Sequence, residues 1–144
     1  MAEVVIINAE GAVLGRLATD VAKRLLKGET VVIVNAERAV ITGRREDILE
    51  HYKHKRDLGG ARMGPLYPRM PHLMVRRTVR GMLPFKTPHG REAYRKLKVH
   101  ISVPAELKGK ELKVVKEAMK PPTHGSMTVG EVSKLLGAKW EVRE

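Results

Sequence analysis

The chain has no cysteine, and none of its 144 residues is glutamine. The first absence excludes disulfides and thiolate metal sites. The second, together with only two asparagines, matches the avoidance of heat-labile side chains in heat-adapted proteins, a statement about habitat more than function. Aromatic residues make up 3% of the chain, too few for the aromatic-bearing amphipathic helix that settles on an anionic membrane surface. No apolar run approaches the roughly 18 residues of a membrane span. The N-terminus lacks a basic flank followed by a long apolar run, so the expected compartment is the cytoplasm. Acids are scarce as well: 16 Asp plus Glu face 28 Lys plus Arg, a net charge of +12. Such an excess favours a polyanion partner, nucleic acid being the commonest.

What is present supports a folded domain. A hydrophobic share of 42% suits a single domain over 1–144, a length that buries about two-thirds of the unfolded surface. Charge is distributed unevenly along it. Residues 1–43 hold five basic and five acidic residues, residues 44–98 hold fifteen and five, and residues 99–144 hold eight and six. A heat-adapted surface would mix both signs throughout. A stretch at +10 repels itself unless a partner neutralises it, so the middle reads as a phosphate-binding surface.

Two segments align without a gap, Val4 to Val13 and Val31 to Val40, and each leads to a Gly-Arg pair, Gly15-Arg16 and Gly43-Arg44. Each opens with four β-branched residues, as a strand buried on both faces would. Asn8 and Asn35 end those runs with a turn-forming side chain. After the first, Leu14, Leu17, Ala18, Val21, Ala22, Leu25 and Leu26 share a helical face, with Gly28 as C-cap. After the second, Arg45 to Lys55 reads as a helix with Glu46 and Asp47 in its first turn, where the dipole favours acids. Strand, crossover helix, strand, helix implies parallel pairing. The expected fold is therefore α/β, three layers in the order α/β/α, with a short, mostly parallel sheet and a basic irregular arm. A further strand is expected at Val99–Val103. A small C-terminal helix is expected too, opened by Thr128 and Glu131 at capping-box spacing and carrying Val132, Leu135 and Leu136 before Gly137. Gly11 and Gly15 lie in the first strand–helix turn without a G-x-G-x-x-G or Gly-Lys-Ser/Thr pattern, so tight turns explain them and no nucleotide cofactor is expected.

In the basic middle, Asp57 to Met74 holds Gly59, Gly60, Gly64, Pro65, Pro68 and Pro71. It reads as a long irregular arm, and long loops lean toward function. Arg62 and Arg69, with Tyr67 between them, suit an arm that follows a phosphate backbone and stacks one ring. A helix follows in which Val75, Val79, Met82 and Leu83 share a face while Arg76, Arg77 and Arg80 fall off it, and Pro84 ends it. After the loop bearing Lys86, Thr87 caps a second helix with Pro88 at its first position. There Arg91, Arg95 and Lys98 are spaced to stack in a row. Only Glu92 is locally available to pair these cations. Arginine suits the task because its planar guanidinium grips phosphate at two points and stacks on bases. With Arg44, Arg45, Lys53, Lys55 and Arg56 from in and beside the preceding helix, these residues make up the candidate nucleic-acid-binding set. An enzyme would need a base, nucleophile or metal constellation. His51 and His54, at i and i+3 with no convincing acidic third ligand, are weak zinc ligands. A free RNA-binding regulator stays as an alternative, since phosphate-gripping surfaces are reusable.

Leu14-Gly-Arg-Leu-Ala18, Val34-Asn-Ala-Glu37, Thr42-Gly43 and the run Arg76 to Thr87, followed by Gly90, Arg91 and Leu97, carry a resemblance. Over about residues 4 to 105 the chain resembles the universal large-subunit ribosomal protein family numbered thirteen, in its archaeal and eukaryotic form. The resemblance implies a three-layer α/β/α fold, binding to large-subunit ribosomal RNA, and contacts with neighbouring ribosomal proteins. It also implies that Arg76, Arg77, Arg80 and Lys86 lie near that RNA. Neither a cofactor nor a small-molecule substrate is implied, and the membrane has no part.

Overall fold

In the computed structural model, which describes residues 4–57, 67–119 and 125–140, the apolar runs that open the two aligned segments become neighbouring strands. From the N-terminus the elements are β1 (Val4–Asn8), α1 (Leu14–Leu26), β2 (Thr30–Val34), β3 (Val40–Thr42), α2 (Arg45–Asp57), α3 (Pro71–Met82), α4 (Pro88–Arg95), β4 (Leu97–Val99), β5 (Ser126–Thr128) and α5 (Val129–Leu135). β2 is the centre of a three-stranded parallel sheet in the order β1-β2-β4, while β3 and β5 form a separate antiparallel pair. Parallel neighbours cannot be joined by a hairpin, and α1 supplies the crossover.

The two segments meet one residue out of their sequence alignment: Val5 faces Val31 and Ile7 faces Ile33. Contact continues beyond the strands, where the Ala9 N–H donates to the Val34 carbonyl (3.0 Å) and the Val40 N–H to that of Ala12 (2.8 Å). The two asparagines join as well. Asn35 is left-handed (φ 57°), a conformation Asn tolerates better than most residues. Its Nδ2 donates to Asn8 Oδ1 (3.0 Å), which also accepts the Glu10 N–H (3.0 Å).

The expected stripe of α1 is buried, from Leu14 to Leu25, with Leu26 at its edge. It meets Val5, Ile7, Val31, Ile33 and Leu97 on one sheet face, and Met74, Val75 and Val79 of α3. Each fully buried aliphatic side chain of this kind stabilises by about 1.5–3 kcal/mol. Gly28 (φ +98°) follows the helix, its N–H donating to the Leu25 carbonyl (3.1 Å). On the other sheet face Ile6, Val32 and Val34 are covered by Val103, Leu107 and Leu112, from a segment containing the 3₁₀ turn Ala105–Leu107. The α/β class and the short parallel sheet are thus as the sequence led us to expect, with a thin layer on this second face.

Several boundaries differ from expectation. The last parallel strand is Leu97–Val99 instead of Val99–Val103. Ser102 adopts φ +61° and gives its carbonyl to the Asn35 N–H (3.2 Å), so the chain turns away where the sequence alternation suggested a strand. α3 begins at Pro71, inside the stretch read as arm, because proline is well placed in the first turn of a helix even though it reads as a breaker. α2 runs to Asp57, so the irregular stretch is shorter than expected at both ends; residues 58–66 lie outside the described ones. α4 closes at Arg95. Lys98 sits in β4 opposite Val32 and cannot extend the Arg91, Arg95 row, because Leu97 leaves the helix to pair with Val31. Both threonine caps are in place: Thr87 Oγ1 accepts the Gly90 N–H (3.3 Å) and Thr128 Oγ1 that of Glu131 (3.2 Å). Met82 and Leu135, expected on apolar faces, sit at helix ends and are exposed.

Candidate nucleic-acid interface

The arginines of α3 follow from its periodicity. Pro71, Met74, Val75 and Val79 turn inward, which leaves Arg76, Arg77 and Arg80 on the flank, half-buried. There they meet two rings carried by the next loop and helix. The Arg76 guanidinium carbon lies 4.6 Å from the centre of the Tyr94 ring, and that of Arg80 lies 4.0 Å from the centre of Phe85. The two rings meet edge to face, with centroids 5.6 Å apart at 89°. Cations one helical turn apart are thereby seated on two rings that brace each other. A cation–π contact of this kind is worth about 0.5–2 kcal/mol, more as it loses water. Arg76 Nε is buried and has no hydrogen-bond partner among the described residues. Arg91 of α4 donates from Nε to the Phe85 carbonyl (3.1 Å), which ties α4 to the ring-bearing loop.

A hollow of about 490 Å³ opens beside these residues, lined by Arg77, Arg80, Gly81, Leu83, Pro84, Phe85, Lys86 and Thr87. No acid lines it. Of the described basic residues between 44 and 98, only Arg56 enters an ion pair, with Asp57 (3.1 Å). Glu92, the one acid the sequence offered locally, is exposed and pairs with none of them.

The remaining candidates are spread more widely. Arg44 precedes α2 and Arg45 begins it, both exposed, and Lys53 lies on the exposed side of the same helix. Lys53 shares that side with Glu46, Asp47, Glu50, His51, His54 and Asp57, so its surroundings are acidic. Lys55 lies over the rings of Tyr52 (5.5 Å) and Tyr67 (5.0 Å). Arg56 also donates to the Leu136 carbonyl (3.4 Å), which joins it to the body. Tyr67 packs against the core and against Tyr52, at 5.9 Å between centroids. Burial raises its phenol pKa, opposed by nearby Arg77, and burial pushes Tyr52 up to about 12. Arg69 is exposed, and its carbonyl accepts the Ser133 hydroxyl. Lys86 is exposed in the loop after α3, Arg95 is exposed at the end of α4, and Lys98 is exposed in β4. Arg62 lies outside the described residues. The structure therefore brings together Arg76, Arg77, Arg80, Lys86 and Arg91, while Lys53 and Lys98 stand apart.

Phe85 and Tyr94 were not among the candidates, though they fix the arginine geometry. The available signal was two rings beside arginines in a chain that has few rings. His72 was missed too. Its Nδ1 is buried without a partner among the described residues. Burial, then His100 and Arg76, lower its pKa below 6.5, so at neutral pH it adds no charge. Among the described residues no group of three or more His, Asp or Glu is arranged to hold a metal ion, and no helix is long and apolar enough to cross a membrane.

Fold and face together define a small α/β protein with two arginines held on aromatic rings and paired with no acid among the described residues. The family profile described as ribosomal protein L13 matches residues 2–106. Among curated relatives, "Large ribosomal subunit protein uL13" of Archaeoglobus fulgidus is 48% identical over 92% of this chain and 86% of its own length. The proteins of the same name from Methanosphaera stadtmanae and Methanocaldococcus jannaschii are 48% and 47% identical, over 95% and 94% of this chain and 99% and 98% of their own lengths. The chain belongs to the ribosomal protein L13 family. That membership sets it among structural proteins of the ribosome and apart from enzymes.

Proposed function

We propose that the chain is a structural constituent of the large ribosomal subunit, acting in the cytoplasm as a single domain. In this reading it grips large-subunit ribosomal RNA through the flank of α3, the loop after it, and α4. The observation that carries the reading is the Arg76–Tyr94–Phe85–Arg80 stack, which holds two guanidiniums in place without neutralising them. Phosphate is the group that fixed, unneutralised guanidiniums bind best, in two-point fashion. The names of the relatives support the choice of subunit. One core cluster drawing residues from Val5 to Leu136 supports the single domain.

Arg77, Lys86, Arg91 and Arg95 complete the grip, and Arg44, Arg45, Lys55, Arg62, Arg69 and Lys98 widen the positive field around it. Arg56 and Tyr67, engaged with the body, serve the mount. Recognition rests on RNA shape and backbone, and neighbouring large-subunit ribosomal proteins are the other partners.

The test is binding to large-subunit ribosomal RNA fragments across a salt series. Each phosphate contact steepens the dependence of log affinity on log salt by roughly 0.7–0.9. Replacing Arg76, Arg77 and Arg80 together by Ala should weaken binding and flatten that slope by roughly 2 to 3, one phosphate each. An unchanged slope would take these residues off the contact surface. Sedimentation of cell lysate separates this role from that of a free regulator: the chain should travel with the large subunit at moderate salt.

A further inference from the structure

The hollow beside Arg80 has a composition that phosphate binding does not explain. Leu83 (6% exposed), Pro84 and Phe85 give it an apolar floor, and Arg77, Arg80, Lys86 and Thr87 form a cationic and polar rim. Gly81 contributes no side chain where it borders the space, and a Cβ there would meet nothing within 4 Å. Phosphates are satisfied by a rim alone and gain nothing from an apolar floor. A flat, weakly polar ring gains from both. The volume of about 490 Å³ falls in the range of about 300–1,000 Å³ typical of clefts for small ligands. The Arg80 guanidinium lies 4.0 Å from the centre of the Phe85 ring, and Arg80 itself lines the hollow, where a second planar group can meet it.

We infer that this hollow receives one unpaired RNA base, stacked on Arg80, with the flanking phosphates held by Arg77 and Lys86. The inference rests on the RNA-binding reading above and narrows its target. A continuous A-form helix presents phosphates and ribose hydroxyls on a convex surface and cannot lower a base into such a space. A bulge, a loop or a strand end can. The arginine flank then tracks the paired stem, and the hollow selects a site where that stem is interrupted.

The experiment keeps the phosphates constant and removes only the base. Three short RNA stems are compared with the full-length protein: fully paired, with one bulged fluorescent adenine analogue, and with the same bulge made abasic. Base stacking on a planar side chain makes the base-bearing bulge roughly tenfold or more tighter than the abasic one. The base is uncharged, so this ratio should persist across the salt series while all three affinities fall together. Analogue fluorescence should be quenched on binding. Arg80→Lys keeps the charge and loses the plane, so the ratio should fall toward one with the salt slope retained.

Equal affinity for the base-bearing and abasic bulges overturns the inference and leaves the phosphate grip standing. A preference that survives in Arg80→Lys overturns the stacking on Arg80. Failure to bind any of the three stems would overturn the RNA-binding reading itself. Thermal melting of Arg80→Lys alongside the parent shows that the half-exposed substitution leaves the fold intact.

Discussion

Gly90→Ala should destabilise this protein, although alanine in place of a helical glycine normally stabilises by about 1 kcal/mol. Gly90 lies in the first turn of α4 and is buried there. A Cβ at this position would stand 2.0 Å from the Pro84 carbonyl oxygen, 2.4 Å from its carbon and 3.0 Å from the Phe85 nitrogen. Relief requires α4 or the Pro84–Phe85 backbone to move by roughly 1 Å, and overpacking of this sort costs about 1–3 kcal/mol. Neither side yields easily, because the Thr87 N–H donates to the Pro84 carbonyl (3.0 Å) and the Gly90 N–H donates to Thr87 Oγ1 (3.3 Å). For a chain of this size the melting temperature should fall about 4 °C for each kcal/mol. Thermal and urea unfolding followed by circular dichroism read this directly. Gly15→Ala in α1, where a Cβ meets nothing within 4 Å, is the matched control and should gain up to about 1 kcal/mol. A Gly90→Ala protein as stable as its parent would refute the close approach of α4 to the loop, and with it the seating of Phe85 under Arg80.

Two further outcomes test the body. Because the pKa of His72 is lowered from 6.5 by burial, His100 and Arg76, the unfolded chain binds a proton that the folded one resists. Stability should therefore hold above pH 6.5 and decline as pH falls below it. His72→Leu should lessen that decline in urea midpoints, and an identical pH profile for the variant would remove His72 as its source. Asn35→Ala should lose about 1–3 kcal/mol, combining left-handed strain with the lost bond to Asn8. Asn35→Gly should recover the strain part, and if glycine proves no better than alanine the backbone argument fails.

Much of the body could be read from residue order because its signals are local. The four-residue β-branched runs, the seven-residue stripe of α1 and the threonine caps each state a period or a turn within one segment, and the structure realises them. One boundary was misplaced because prolines were taken as marks of irregularity. Pro71 begins α3 instead of continuing the arm, and the reason for a glycine inside α4, the room that the Pro84 backbone needs, is a contact that no local pattern shows. The end of the sheet was misplaced for a different reason. Val99 to Val103 alternates well, but Asn35 and the Glu37 carboxylate, which accepts the Ser102 N–H (2.9 Å), hold that segment in another shape. These are contacts over sixty residues of sequence, and no local pattern announces them. In the same way the candidate cations were visible as a count. Their sorting into a braced group and scattered outliers depended on which ring each one meets.

That sorting gives the scarcity of aromatics a physical meaning. Each of the five rings in the chain has a cation against it: Lys55 by Tyr52 and Tyr67, Arg76 by Tyr94, Arg80 by Phe85 and Lys134 by Trp140. Such contacts ordinarily occur about once in 70–80 residues. The largest fully buried side chains, by contrast, are aliphatic or methionine, from Ile7 and Leu17 to Met74 and Leu97. Aromatic surface thus positions charge, and of the five rings only Tyr52 is also buried within the core. An arginine free in solvent loses up to about 2 kcal/mol of rotamer entropy when a ligand fixes it. One already resting on a ring has lost much of that freedom during folding. In the proposed reading, the flank of α3 meets RNA with the ordering cost largely met, whereas Arg44 before α2 and Arg45 at its start, which lie against no ring among the described residues, bear it on binding. Per residue, the ring-seated arginines should contribute more to affinity than the α2 cations at the same net charge.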